Sequence, residues 1–407
     1  MLATKILKNS EYDLLYYVGY IIFLIVSIFN TSLYSIYTVK TNSIIYIFII
    51  LIFFIRELIG EKQSVIHYII ISLGLLCAML VGVSAQSTMM TMTIIMVTLL
   101  GKTNLRTVMK LTIIVTWISV LFIVLSSKVG IIDDIVFKQG DRIRHAFGFR
   151  YVLFLPTYLF NLVAISIYLR RENISYLSIF FYSLLNILLF IYSNARLCVL
   201  TTGLLLLYII VYKLKHYHKR NYYNQSSKHN KLLTLFIPIY PVIGFFSLYA
   251  IVYYNDHIKW MKILNELIGN RLLIGNRSYN IYHFSLLGNS NISWVGQGIN
   301  ISGEKIYDVV TYVDNVYFNF LQKYGILVFG FLLFFLTYMM YRCYLENDKI
   351  LMMIMIVLAV HGFIDDLIQH IQYNTFLFFI IPLCFKRTTN KIITNNVVNL
   401  KKNEKFF

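Results

Sequence analysis

Apolar runs of span length, separated by short polar breaks, fill almost the whole chain. A helix needs roughly 20 mainly apolar residues to cross about 30 Å of hydrocarbon. By that criterion the pattern predicts an all-α, polytopic protein of twelve spans, at 12–30, 34–55, 65–84, 87–101, 108–127, 150–169, 174–193, 195–213, 232–254, 323–341, 350–368 and 371–385. The first run follows a short segment carrying Lys5 and Lys8 and has no small-residue cleavage site after it, so it reads as a retained span rather than a signal peptide.

Composition supports this division. The chain is 58% hydrophobic and 13% charged, with a mean hydropathy of +0.70. A soluble chain carries about 25% charged residues. The single membrane unit, 1–407, has three polar interruptions of note: 128–149, 213–231 and 255–312. Lys213, Lys215, Lys219, Arg220, Lys228 and Lys231 fall in the second of these without a single acid. Placing that block on the cytoplasmic side sets an N-in, C-in orientation and puts 128–149 and 255–312 outside. The net charge of +18 is spread over short loops, which suits anionic membrane lipids and excludes a basic nucleic-acid-binding domain. No G-x-x-x-x-G-K-[ST] run and no large inner loop supports an ATP-driven pump. Cys77, Cys198, Cys343 and Cys384 lie in or at the ends of spans without CxxC spacing and read as small apolar residues.

Candidate chemistry gathers on the predicted outer face. Arg142, Arg144 and His145 sit in the first outer loop, and Arg150 opens the next span. Arg196 lies in a tight turn, Ser193-Asn-Ala-Arg196, beside an apolar run. Arg271 and Arg277 each end a Gly-Asn-Arg tripeptide in the large loop, where Gly and Asn suit tight turns. Guanidinium groups bind phosphate in planar two-point contact and stay charged. These residues therefore point to a phosphate-bearing, membrane-linked substrate. The same loop holds Trp294 and an amphipathic pattern over 257–268 that predicts a surface helix. Asp314 and Asn315 precede a span, where Asp is a helix cap or a general base, and Tyr317 is placed to stack on a sugar ring. Asp365 and Asp366 need partners at that depth, and the outer arginines are the expected ones. Adjacent aspartates on a helix point about 100° apart, and no Asp-x-Asp run occurs, so neither a metal nor another cofactor is expected.

These motifs resemble the Wzy-type polymerases of O-antigen, capsule and exopolysaccharide repeat units, relatives of the O-antigen ligases. Arg144-His-Ala-Phe-Gly-Phe-Arg150 is similar to that family's Arg-containing Gly-Phe run. Ser193-Asn-Ala-Arg196 is similar to its Ser-x-x-Arg turn, Trp294-Val-Gly-Gln-Gly298 to its Gly-x-Gly loop end, and Asp314-Asn315-x-Tyr317 with Gly325 to its Asp-Asn-x-Tyr motif. The family's His-Pro-Asn continuation is replaced here by Leu155-Pro156-Thr157. The resemblance implies a metal-independent membrane glycosyltransferase in the cytoplasmic membrane. Its substrate is an oligosaccharide repeat unit on undecaprenyl pyrophosphate, and its partners are the flippase and chain-length regulator of the pathway. In that reading Asp314, Arg196, Arg271 and Arg277 are catalytic. Arg142, Arg144, His145, Arg150, Asn315, Tyr317 and Trp294 bind substrate. A flippase of lipid-linked oligosaccharides and a polysaccharide ligase are the alternatives. A flippase calls for charged residues inside many spans and short outer loops, and the chain has neither.

Overall fold

The computed structural model describes residues 2–34, 39–59, 64–101, 103–139, 142–219, 231–296 and 310–381. The helices, in chain order, are α1 (Leu2–Asn30), α2 (Val39–Ile59), α3 (Val65–Ser84), α4 (Thr88–Thr98) and α5 (Leu105–Lys128). A hairpin of β1 (Val136–Gln139) and β2 (Arg142–His145) follows. Then come α6 (Phe154–Arg170), α7 (Tyr176–Ser193), α8 (Arg196–Lys219), α9 (Ile239–Val252), α10 (Lys259–Leu267), α11 (Arg271–Tyr282), α12 (Val316–Leu345) and α13 (Lys349–His361). Seven of the described helices, α1, α2, α3, α5, α7, α8 and α12, are long and apolar enough to cross a membrane. The chain is a multi-pass membrane protein.

Burial separates inner from outer helices. Every residue from Pro156 to Ile167 of α6 is buried, so this helix is enclosed by its neighbours. Polar Thr157, Asn161 and Ser166 dilute its apolar pattern and all point into protein. By contrast, α2, α3 and α7 expose Ile47, Phe54, Leu73, Met79, Phe180 and Ile191. Continuous apolar surface of this kind suits lipid rather than water. Hydrogen bonds tie the bundle internally: Tyr16 donates to the Met96 carbonyl at 2.8 Å, and Tyr240 to that of Met355 at 2.9 Å. At the end of the bundle away from the hairpin, fully buried Arg56 bonds Glu57, Thr103 and the Leu99 carbonyl and stacks on Tyr12.

Several predicted spans differ from the helices. The helix of span two runs later, to Ile59, and that of span six starts only at Phe154. Span nine is the shorter α9, preceded by a 3-10 turn at Lys231–Phe236 and Pro238. Span eleven ends at His361, and 362–374 leaves the helix. Within span twelve the described chain forms a short 3-10 helix, Thr375–Phe379, and 382–385 lie outside the described residues. The physical reason is polar satisfaction. Asn161 of α6 donates to the Gln372 carbonyl and to Thr375 Oγ1 and accepts from the Thr375 N–H. Buried side chains thus replace helical hydrogen bonds, which permits irregular backbone inside a membrane protein. The 128–149 interruption contains a hairpin, a departure from the all-α expectation, with Phe137 opposite Arg144 and Gln139 opposite Arg142. The predicted surface helix over 257–268 is observed as α10, whereas α11 was not anticipated. Most of the basic 213–231 loop and the Gly298 end of the large loop lie outside the described residues.

α12 is broken at Gly325, whose φ of 85° and ψ of 169° suit only glycine. The loop after α11 fills the break: Ile326 N–H donates to the Ser285 carbonyl, Leu327 to that of Leu286, and Asn289 to that of Lys323. A Cβ on Gly325 would lie 2.4 Å from the Gly288 nitrogen. Gly325→Ala should therefore destabilise the protein by about 3 kcal/mol or more, combining backbone strain with the clash. Thermal unfolding in detergent measures it, with Gly330→Ala, where no atom lies within 4 Å of the added Cβ, as the mild control.

Candidate functional site

Two tight turns and the hairpin set the site. α7 ends in Ser193, Asn194 adopts the left-handed conformation, and α8 begins at Arg196. Asn is among the residues that tolerate this conformation at a helix end. The tight turn expected at 193–196 is therefore observed. At the second turn, Gly269 (φ 71°) and Asn270 (φ 65°) lead into α11 at Arg271. The second Gly-Asn-Arg is not a turn. Gly275 lies inside α11, where a Cβ would meet Ile251 of α9 at 2.8 Å. Its glycine serves close helix packing, and Arg277 lies exposed on another face of α11.

Between these turns lies a cavity of about 690 Å³. Arg144, Arg150, Arg196, Arg271, Asp314 and Tyr312 line it, together with Asp365, Asp366 and Glu266. Arg144 arrives from β2 and is clipped to α7 by Nε donating to the Ser193 carbonyl at 2.9 Å. Arg150 donates through Nε to the Ser32 carbonyl at 3.0 Å, joining the end of α1 to the cavity wall. Arg196 is exposed, and its Nε reaches Asn194 Oδ1 at only 3.4 Å. Neither Arg150 nor Arg196 forms an ion pair among the described residues.

Arg271 does have an acid. Its Nη2 lies 3.0 Å from Asp314 Oδ2, with 20% and 25% of the two side chains exposed. Nη1 donates to the Ile268 carbonyl at 2.7 Å, and Nε is buried without a partner among the described residues. Burial pushes the Asp314 carboxyl above its usual range; the Arg271 guanidinium opposes that rise, and Asp365 adds to it. Arg196 and Arg271 also open their helices. Cations are unfavourable at the positive end of a helix dipole, where anions are favoured. Two arginines in first-turn positions beside one cavity thus forgo stability and concentrate positive potential there.

The other expected site residues fall elsewhere. His145 is held by Asp134, which also accepts the Phe147 N–H, and this contact folds the hairpin. Arg142 pairs with Gln139 in the strand, and its side chain lies outside the described residues. Asn315 is buried and structural: it donates to Ser247 Oγ and the Phe363 carbonyl and caps the Phe318 N–H. Tyr317 is 3% exposed, donates to the Ala359 carbonyl and packs on Gly244, so it does not reach the cavity to stack on a sugar. Trp294 donates to Ser278 Oγ and sets its ring edgewise to Tyr312, one residue removed from the cavity wall.

The aspartates find partners other than arginine. Asp366 accepts from Tyr312, Asn319 and Gln369. Asp365 meets His361, Cys198 and Thr157. Cys198 is therefore not merely a small apolar residue. Tyr312, Tyr151 and Glu266 line the cavity unanticipated, since nothing in a single sequence marks which polar loop residues will face inward. No protein-family model, characterised protein or solved structure matches the chain.

If the arginines form an anion site, Arg196→Ala and Arg271→Ala should each weaken binding of inorganic pyrophosphate to the detergent-solubilised protein by roughly tenfold, the scale of one charge-assisted hydrogen bond. Arg277→Ala should leave it unchanged. Calorimetric titration of the three variants checks both outcomes.

Proposed function

We propose that this protein polymerises oligosaccharide repeat units carried on undecaprenyl pyrophosphate, at the outer face of a cytoplasmic membrane that it crosses twelve times with both termini inside. The observation that carries this reading is the cavity in which Arg144, Arg150 and Arg196 surround the partly exposed Arg271–Asp314 pair. Its volume is in the ordinary range for small-molecule sites, roughly 300–1,000 Å³. That accommodates a pyrophosphate and the sugar attached to it.

Glycosyl transfer from such a donor needs no nucleotide, because the pyrophosphate is already a good leaving group. A hydroxyl oxygen of one unit bonds to the anomeric carbon of the other, and the bond from that carbon to the phosphate oxygen breaks. The electron pair departs with the lipid pyrophosphate, and the hydroxyl proton passes to Asp314. Arg144, Arg150, Arg196 and Arg271 then stabilise charge as it grows on the leaving oxygen. A single displacement inverts the anomeric centre. Burial suits Asp314 to the base role, since a carboxylate with a raised pKa is a stronger base than a solvated one.

The test uses purified protein in lipid vesicles with a synthetic lipid-pyrophosphate repeat unit. Products of two or more units on one carrier, with inverted linkage, are expected. Vesicles that only move single units across the bilayer would favour a flippase, and transfer of a finished chain to a different acceptor would favour a ligase. Arg196→Ala should reduce turnover by about 100-fold, the scale of losing one preorganised charge-stabilising group. Asp314→Asn should abolish it.

The pH profile gives a second check. A base acts deprotonated, so turnover should fall as pH drops through the raised pKa of Asp314. Arg271→Gln removes the positive charge that holds this carboxyl down, so the acid limb should move to higher pH. An acid limb unmoved by Arg271→Gln would remove Asp314 from the base role.

A further inference from the structure

Beneath the cavity, the first turn of α8 meets the last turn of α13 and the chain that follows it. Cys198 Sγ lies 4.0 Å from His361 Nε2 and 3.9 Å from Asp365 Oδ2, and Nε2 lies 3.2 Å from Oδ2. All three residues are buried. Thr157 Oγ1 of α6 joins them at 3.5 Å from Sγ and 3.4 Å from Oδ2.

Hydrogens are scarce at this point. Thr157 has one hydroxyl hydrogen, for which the Leu153 carbonyl at 2.8 Å is the nearer acceptor and Asp365 Oδ2 at 3.4 Å the farther. Thr201 likewise donates to the Leu197 carbonyl at 3.0 Å, so its oxygen accepts from His361 Nδ1 at 2.9 Å. With Nδ1 as the donor to Thr201, release of the Nε2 proton, as metal binding requires, leaves a lone pair on Nε2 facing a carboxylate oxygen. Lone pairs on Nε2, Oδ2 and Oγ1 then converge beside the thiol sulfur. The arrangement is not a catalytic relay, because a relay places its two partners on opposite ring nitrogens, whereas Cys198 and Asp365 share Nε2.

We propose that Cys198, His361 and Asp365 bind a zinc-class divalent cation. Thiolate, imidazole and carboxylate are the mixed donor set of tetrahedral zinc, and bond lengths of about 2.0–2.3 Å place such donors roughly 3.2–3.7 Å apart. The observed separations come within a few tenths of an ångström of that. One thiolate and one carboxylate neutralise a divalent ion, which removes the cost of burying like charges together. Thr201 supplies the outer partner that fixes the imidazole tautomer, as ligating histidines require. Thr157 or a water completes the shell. The ion pins the irregular segment after α13 to α6 and α8, and so sets the floor of the cavity that Asp365 lines. The role is positioning, and this site stands whatever reaction the cavity supports.

The test is zinc content of the full-length protein, purified in detergent from zinc-supplemented cells, by mass spectrometry of the metal. One equivalent per chain is expected in the wild type and in a Cys77→Ala/Cys343→Ala/Cys384→Ala variant, with loss in Cys198→Ser and Asp365→Asn. Because those two variants risk misfolding, cobalt loading of the wild type gives an independent reading. The triple variant should show a thiolate-to-cobalt charge-transfer band, and the band can come only from Cys198. Absence of both zinc and the band overturns the proposal and leaves a metal-free His361–Asp365 ion pair. Zinc retained at wild-type level in folded Cys198→Ser also overturns it, and assigns the metal to histidines such as His216, His218 and His229 in the basic loop.

Discussion

Inside a membrane-embedded bundle, every polar group must find its partner within the protein, because lipid supplies none. This constraint organises the end of the molecule where the cavity lies. The chain after α13 leaves the α-helix for thirteen residues and yet stays mostly buried, because Asn161 and Thr157 of α6 and its own Gln369 and Asn374 meet its carbonyls, amides and carboxylates. The break in α12 is satisfied in the same way, by main chain from the loop after α11. Irregular backbone at depth is expensive unless matched group by group, and here the matching fixes where Asp314, Asp365 and Asp366 stand.

The arginines are arranged on that frame with different degrees of freedom. Arg144 and Arg150 each spend Nε on a backbone carbonyl, which aims the rest of the guanidinium at the cavity. Arg271 shares its charge with Asp314, and Arg196 is barely tethered. Positive charge at the first residues of α8 and α11 opposes what helix stability prefers. An anion at the cavity would reverse that cost, which links the local destabilisation to ligand binding in one electrostatic account.

Polar residues that look functional in a loop divide by what they touch. Asn315, Tyr317 and His145 belong to short motifs with catalytic appeal, yet each is occupied in holding backbone: Asn315 caps α12, Tyr317 anchors it to α13, and His145 closes the hairpin through Asp134. Their roles lie in placing Asp314 and Arg144. Cys198 makes the opposite transition, from a plain apolar position to the centre of a buried polar cluster.

Hydropathy over windows of about twenty residues is a local property, so the sequence by itself determined the multi-pass class, the amphipathic α10 and the Asn194 and Gly269–Asn270 turns. It also marked Arg144, Arg150, Arg196, Arg271 and Asp314, because Arg and Asp beside apolar runs are costly without a purpose. It did not separate Arg271 from Arg277, since identical tripeptides fold as a turn in one case and inside a helix in the other. Only the tertiary structure decided that, through the close approach of Gly275 to Ile251. It also decided the fate of the last two apolar runs. Their hydropathy suits unbroken helices, but Asp365 and Asp366 take partners from α6, α8 and α12 that no window along the chain contains.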